Sequence, residues 1–181
     1  MSAQSMTMNN INKKIVNHGI LYVSCGTLGA GKSTWLKAHI KPEEKIISRD
    51  EIRFSIIKDN ETYFSHEDEV FKKFIYEIKE NIDNGINVYA DATHLNDRSR
   101  GKLLYSLRKI GCVPSEINAI YFYTSLETCL RQNEYRKGTR AYVPEIQLKQ
   151  MFHSSQAPEF REGFKNIWIV TEKGELMSVR K

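Results

Sequence analysis

The chain has 181 residues, 40% of them hydrophobic, and its 27 Lys and Arg against 22 Asp and Glu give a net charge of +5. That length suits one ordinary α/β domain with its own core and no second domain. No apolar run approaches the roughly 20 residues that span a bilayer, which argues against a membrane protein built on helices. The basic balance favours an anionic partner, nucleic acid first. Cys25, Cys112 and Cys129 are odd in number, widely spaced and without a C-x-x-C pair. They predict a reduced, cytoplasmic protein in which the cysteines are small buried hydrophobes, neither disulfides nor zinc ligands.

Met1 to Asn12 is polar and lacks the apolar centre of a signal peptide. Residues 1–18 are therefore expected to be a loose end, and residues 19–181 a single domain. An apolar run, Ile20 to Cys25, reads as the first strand and leads into GTLGAGKST, Gly26 to Thr34. The stretch fits G-x-x-x-x-G-K-[ST], with Gly26, Gly31, Lys32 and Ser33 in register, and a helical pattern follows to His39. Strand, loop and helix N-terminus converge their backbone N–H groups on one spot, the geometry that holds a phosphate chain. Gly26, Gly29, Ala30, Gly31, Lys32, Ser33 and Thr34 are expected to surround a nucleotide. Lys32 would lie along the β- and γ-phosphates and Ser33 would place its hydroxyl on Mg²⁺. Gly29 and Gly31 would let the backbone approach more closely than a Cβ permits.

Lys45 to Ser48 reads as a second strand, after which Arg49-Asp50-Glu51-Ile52-Arg53 opens a helix with Asp50 near its cap. A carboxylate and two guanidinium groups would then stand at the ligand-binding edge of a parallel sheet. Asp50 is the candidate general base for an attacking hydroxyl, the alternative being an ordinary helix cap. Arg53, one turn along, is either a bidentate phosphate holder or a solvated surface residue. A helix from Glu67 to Asn84 carries Val70, Phe71, Phe74, Ile75 and Ile78 on one face and reads as core packing alone. Ile86 to Ala90 is a third strand. Asp91 at its end sits where the Walker-B acid touches the Mg²⁺ shell, or else caps the next turn. Many ATP hydrolases follow that acid with a Glu that activates water; Ala92 stands there instead, which points to an attacking group other than water.

Thr93 to Asn96 is a loop whose His94 reads as structural or solvated, and a helix from Asp97 to Ile110 carries Arg98 and Arg100 in its first turn. Ile117 to Tyr123 is a buried fourth strand, followed by a helix from Leu126 to Tyr135. Arg136-Lys137-Gly138-Thr139-Arg140 then breaks the pattern with a glycine among three cations and reads as a mobile basic flap. Arg136, with Arg131, Lys137 and Arg140, could close over the triphosphate, the alternative being a solvated basic loop. Pro144 opens a helix to His153, Ile167 to Thr171 is a fifth strand, and Glu175 to Val179 is a possible edge strand. This alternation predicts an α/β fold in which a five-stranded parallel sheet is flanked by helices on both faces, with a basic lid.

The order GTLGAGKST, SRDEIR, VYADATHLNDRSR and RQNEYRKGTRAYVP resembles the phage-type 5′-hydroxyl polynucleotide kinases and their P-loop kinase relatives, over nearly all of the chain after Ile20. The segment APEFREGFKNIWIV, Ala157 to Val170, is similar to that family's closing segment. The resemblance implies ATP and Mg²⁺, with Asp50 as the base that activates a 5′-hydroxyl of DNA or RNA and Arg53 on the acceptor's phosphate. It also implies that Arg136 stabilises the transferring phosphoryl group, Lys137 being the alternative register. Arg131 would then serve the nucleotide, and Arg49, Lys137 and Arg140 would join Arg53 on the acceptor. Members often carry a phosphatase or ligase domain as well; without one, ends would be phosphorylated but neither stripped of 3′-phosphates nor sealed. The wider family also includes kinases of small metabolites, so a small-alcohol acceptor stays open beside a nucleic acid, as does a nucleotide-dependent binding module. No N-K-x-D motif occurs, which argues against a GTPase.

Overall fold

Short runs of β-branched and aromatic residues, each cut off by a turn or a helix cap, form the strands of this protein. The computed structural model describes residues 18–181. The expected loose N-terminal end lies outside the described residues apart from His18, whose Nδ1 stands 3.7 Å from Asp83. The strands are β1 (Leu21–Cys25), β2 (Lys45–Ser48), β3 (Val88–Asp91), β4 (Ile117–Phe122), β5 (Asn166–Val170) and β6 (Leu176–Val179). The helices are α1 (Lys32–His39), α2 (Arg49–Ile56), α3 (Glu67–Asp83), α4 (Asp97–Lys109), α5 (Leu126–Glu134) and α6 (Glu145–His153), with a 3₁₀ turn at Phe160–Glu162.

One sheet runs in the order β2-β3-β1-β4-β5-β6. The first five strands are parallel, as expected, and β6 adds a sixth that runs antiparallel to β5. The possible edge strand is thus real, and the five-strand expectation is one short. Its direction follows from the connection. Only Thr171 to Glu175 separate the two strands, closed by Gly174 N–H on Thr171 O at 2.8 Å, whereas a parallel return needs a crossover of about a dozen residues.

Strand alternation divides the core. Leu21, Val23, Cys25, Val88, Ala90 and Ala119 face α2, α3 and α4 and pack on Phe74, Ile78, Leu103 and Leu107. Tyr22, Ile120, Phe122 and Val170 face α1, where Leu36 and Trp35 meet them. A third, smaller cluster joins Leu28, at the tip of the loop after β1, to Cys129, Val143 and Leu148 of the α5–α6 region. All three cysteines are buried and free, and burial pushes the Cys25 thiol up to about 12. Among the described residues no helix is long and apolar enough to cross a membrane.

This order positions the site. From β1 the chain crosses to β2 at one edge, and from β3 it crosses back over β1 to β4, so the crevice of the open sheet lies at the C-terminal ends of β1 and β3. The segments that leave β1, β2 and β3 there are Gly26–Thr34, Arg49–Arg53 and Asp91–Asn96.

Candidate active site

Those three segments, with Tyr63, Phe64 and Glu67, Arg136 of the lid and residues of α6, line a cleft of about 800 Å³. Of the loop residues, Gly29, Gly31, Lys32, Ser33 and Thr34 line it, together with Leu28. Gly26 and Ala30 lie behind them. Gly26 donates its N–H to Thr93 O at 2.9 Å, and Ala30 O accepts from Thr124 Oγ1 at 3.4 Å. The two inner glycines have different reasons. A Cβ on Gly29 would stand 2.6 Å from Cys129 O, so its absence lets the loop pack on α5 and not, as the sequence suggested, on a ligand. At Gly31, φ is +83° and the space where a Cβ would stand is open, so this position does leave the helix N-terminus bare.

Lys32 is buried, and its ammonium donates to Gly26 O at 2.9 Å and Thr27 O at 2.8 Å. Two of its three donors hold the loop's shape and the third is left for an anion. Burial lowers its pKa, while Asp91 and Asp50 oppose that shift. Ser33 donates its hydroxyl to Asp91 Oδ2 at 2.6 Å, which joins α1 to the end of β3. Burial raises the Asp91 pKa, opposed by Ser33 and Lys32; a cation at this pair would favour the carboxylate. Among the described residues no cluster of three or more His, Cys, Asp or Glu could hold a metal. One carboxylate and one hydroxyl instead suit Mg²⁺, which keeps waters and takes phosphate oxygens.

Asp50 is not the cap of α2. Ser48 is, accepting from Glu51 N–H at 3.4 Å, so the carboxylate of Asp50 is released into the cleft. Both donors that reach it, Tyr63 Oη at 2.6 Å and Arg53 Nη1, bond to Oδ1. Arg53 is not a solvated surface residue either: it is 4% exposed. Its Nη2 donates to Glu67 at 2.8 and 3.1 Å, and its guanidinium lies over the Tyr63 ring at 4.2 Å. Glu67 also pairs with Arg49. Two cations and two carboxylates thus balance in one network, though the Nε donors of Arg49 and Arg53 are buried without a partner. The expectation that α3 serves the core alone fails at its first residue, Glu67. Acidic residues in a first helical turn ordinarily answer the helix dipole, which hid this role. Tyr63 lies in a loop without hydrophobic periodicity, and no local pattern marks it. Burial, then the Asp50 charge, raises the Tyr63 pKa, so the phenol stays a donor.

The lid gives the cleft one cation, Arg136. Arg131 donates to Thr128 Oγ1 at 3.0 Å, and Lys137 pairs with Glu134 at 3.5 Å. Arg140 reaches across to Asp59 at 3.4 Å and donates to Ile57 O at 3.1 Å. The group of four lid cations is therefore dispersed in this conformation. The flap is a run of turns rather than an open loop, tied down by Asn133, whose side chain bonds Val143 N and O at 3.2 and 2.7 Å.

Behind the cleft, Arg100 is the largest fully buried side chain. It donates to His94 O, Gln156 O and Ala157 O and forms a two-pronged pair with Glu162, which binds α4, the β3–α4 loop and the closing segment together. His94 is structural: buried, with Nδ1 2.8 Å from Ser24 O and its pKa pushed down to about 4 by burial.

A family profile described as an AAA domain matches residues 21–158, from β1 through the lid to the closing segment. The chain belongs to that family. Solved structures agree on the fold of this AAA domain. A chain of the Pnkp1/Rnl/Hen1 RNA repair complex superposes with a TM-score of 0.64 at 19% identity, over 78% of this chain and 45% of its own. A second structure of that complex gives 0.54 at 22% identity, over 64% of this chain and 39% of that one. The AAA domain thus spans less than half the length of either. Kti12 from Chaetomium thermophilum, in complex with ADP-AlF3, gives 0.59 at 12% identity over 83% and 88% of the two chains. A gluconokinase from Sinorhizobium meliloti 1021 gives 0.51 at 16% identity over 86% and 83%. A comparison with curated protein sequences finds no match. The chain's phosphate-loop sequence stands in the same kind of α/β fold as those structures.

Proposed function

We propose that this protein transfers the γ-phosphoryl group of ATP to the 5′-hydroxyl of a DNA or RNA end. The observation that carries the reading is Asp50: a carboxylate with both donors on Oδ1, so that Oδ2 is left to accept a proton, in the same cleft as Lys32, Ser33, Asp91 and Arg136. In the transfer, the acceptor oxygen bonds to the γ-phosphorus as the bond to the β–γ bridging oxygen breaks. The acceptor's proton goes to Asp50 and ADP departs. Lys32 and the N–H groups at the start of α1 hold the phosphates, and Arg136 meets the charge that develops on the transferring group. Mg²⁺, held at Ser33 and Asp91, supplies charge neutralisation when bound. A phosphate of the acceptor would answer Arg53 and Arg49, which line the cleft.

The choice of nucleic acid is supported by the chain's basic balance and by the likeness to a chain of an RNA repair complex. Three free buried cysteines suit a reducing, cytoplasmic setting. A small alcohol is the second reading, since the charges of Arg49 and Arg53 are already matched by Glu67 and Asp50 and a gluconokinase shares the fold. Labelled ATP with a 5′-hydroxyl oligonucleotide decides between them. Label should pass to the oligonucleotide and vanish with Lys32→Ala. Transfer to a compact polyol but to no oligonucleotide would establish the second reading.

A further inference from the structure

Beside the candidate base the cleft wall is aromatic. Tyr63 bonds Asp50 through its hydroxyl, and the ring of Phe64 meets the ring of Tyr63 edge to face, centroids 4.9 Å apart and planes at 86°. Phe64 lines the cleft yet is 66% exposed. A single exposed phenylalanine on an open surface needs no explanation. This one stands one ring away from the reacting carboxylate, on a wall whose charges are already balanced.

The segment that carries it is a built ledge. Glu61 accepts from Lys58 N–H at 2.8 Å, and Ser65 N–H closes on Thr62 O at 3.0 Å. Arg140 of the lid pins the start of the ledge through Asp59 and Ile57 O. A ring presented on such a support loses little freedom when something stacks on it. The neighbouring polar groups have less to offer. Tyr63, Arg53 and Glu67 spend most of their donors and acceptors on one another, the buried Nε of Arg53 apart. What the ledge leaves free is a π surface. Every nucleobase has a π-face to lay on it, whereas a flexible acyclic polyol has no flat face to offer.

We infer that Phe64 is the stacking platform for the terminal nucleobase of the acceptor, an inference that rests on the polynucleotide kinase reading above. It names the acceptor class as a base-bearing end and predicts tolerance of all four bases, because stacking reads a face and not an edge.

The test compares two 5′-hydroxyl oligonucleotides that differ only in the terminal residue, one with a base and one with an abasic tetrahydrofuran. Each is phosphorylated by the wild-type protein, Phe64→Ala and Phe64→Trp. With the wild type, the abasic end should show an acceptor KM about tenfold higher at similar kcat. Phe64→Ala should raise the KM of the base-bearing end about tenfold and leave that of the abasic end unchanged, whereas Phe64→Trp should keep the preference. Thermal melting of the three proteins checks that they are equally folded. Equal KM values for the two ends with the wild type, or an equal loss on both ends with Phe64→Ala, would overturn the inference and leave the kinase reading standing. Failure of the wild type to phosphorylate either oligonucleotide would overturn both.

Discussion

In the proposed transfer Asp50 would take the proton and Tyr63 would hold its carboxylate in place. Asp50→Asn keeps the shape and the bond from Tyr63 but removes the proton acceptor, so kcat should fall by about 10²–10⁴ while ATP still binds. Steady-state kinetics beside a direct nucleotide-binding titration checks this; unchanged turnover would remove Asp50 from the mechanism. Tyr63→Phe deletes one donor to a charged group and leaves the ring beneath Arg53. An effect of about tenfold on kcat is expected, with the KM for ATP unchanged, because the bond orients Oδ1 and does not touch the nucleotide. A shift in the ATP KM alone would mean that the hydroxyl holds the fold of the cleft and not the base.

The clasp made by Arg100 belongs to the scale of elements, because one side chain ties α4, the β3–α4 loop and the segment after α6. Its guanidinium is 1% exposed, so truncation strands the Glu162 carboxylate and several carbonyls away from water. Arg100→Ala should cost about 3–5 kcal/mol of stability, and urea denaturation measures it. Adding Glu162→Gln to that variant should recover part of the loss, since the stranded charge is then gone; full additivity of the two changes would argue that they do not form one unit. The same scale explains the lid. Asn133 and Arg140 anchor it at two points, so its cations are directed by hydrogen bonds and turns, and of the four only Arg136 lines the cleft.

For the molecule as a whole, acid stability should report the burial of His94. Its pKa of about 4 in the folded chain lies below the unfolded value of about 6.5, so between these values the unfolded chain binds the extra proton. Stability is unaffected by this group above about pH 6.5, falls as pH drops towards 4, and levels off below, a loss of order 3 kcal/mol. Denaturant melts at pH 7 and pH 4.5 should differ in this sense, and His94→Asn should flatten the difference. A wild-type stability that rises on acidification would contradict the burial of a neutral imidazole. Under the proposed polynucleotide acceptor, binding of a 5′-hydroxyl oligonucleotide should weaken steeply with added salt.

The linear order of residues was enough to locate the phosphate loop, the acid at the end of β3, the parallel sheet and the start of each α-helix to within a few residues. Each of those rests on local signals: hydrophobic period, caps and a spacing tied to backbone geometry. It also brought forward Asp50, Lys32, Ser33 and Arg136, which the fold gathers at one cleft. What the chain order left open was who pairs with whom. Glu67 and Tyr63 reach Asp50 and Arg53 only because α2 and α3 pack side by side, and the cap of α2 fell to Ser48 rather than Asp50. The dispersal of the lid cations and the burial of Arg100 were settled in the same way, by desolvation and long-range partners. Charge on a sequence is silent about burial, and burial decides whether an arginine waits for a ligand or already holds a neighbour.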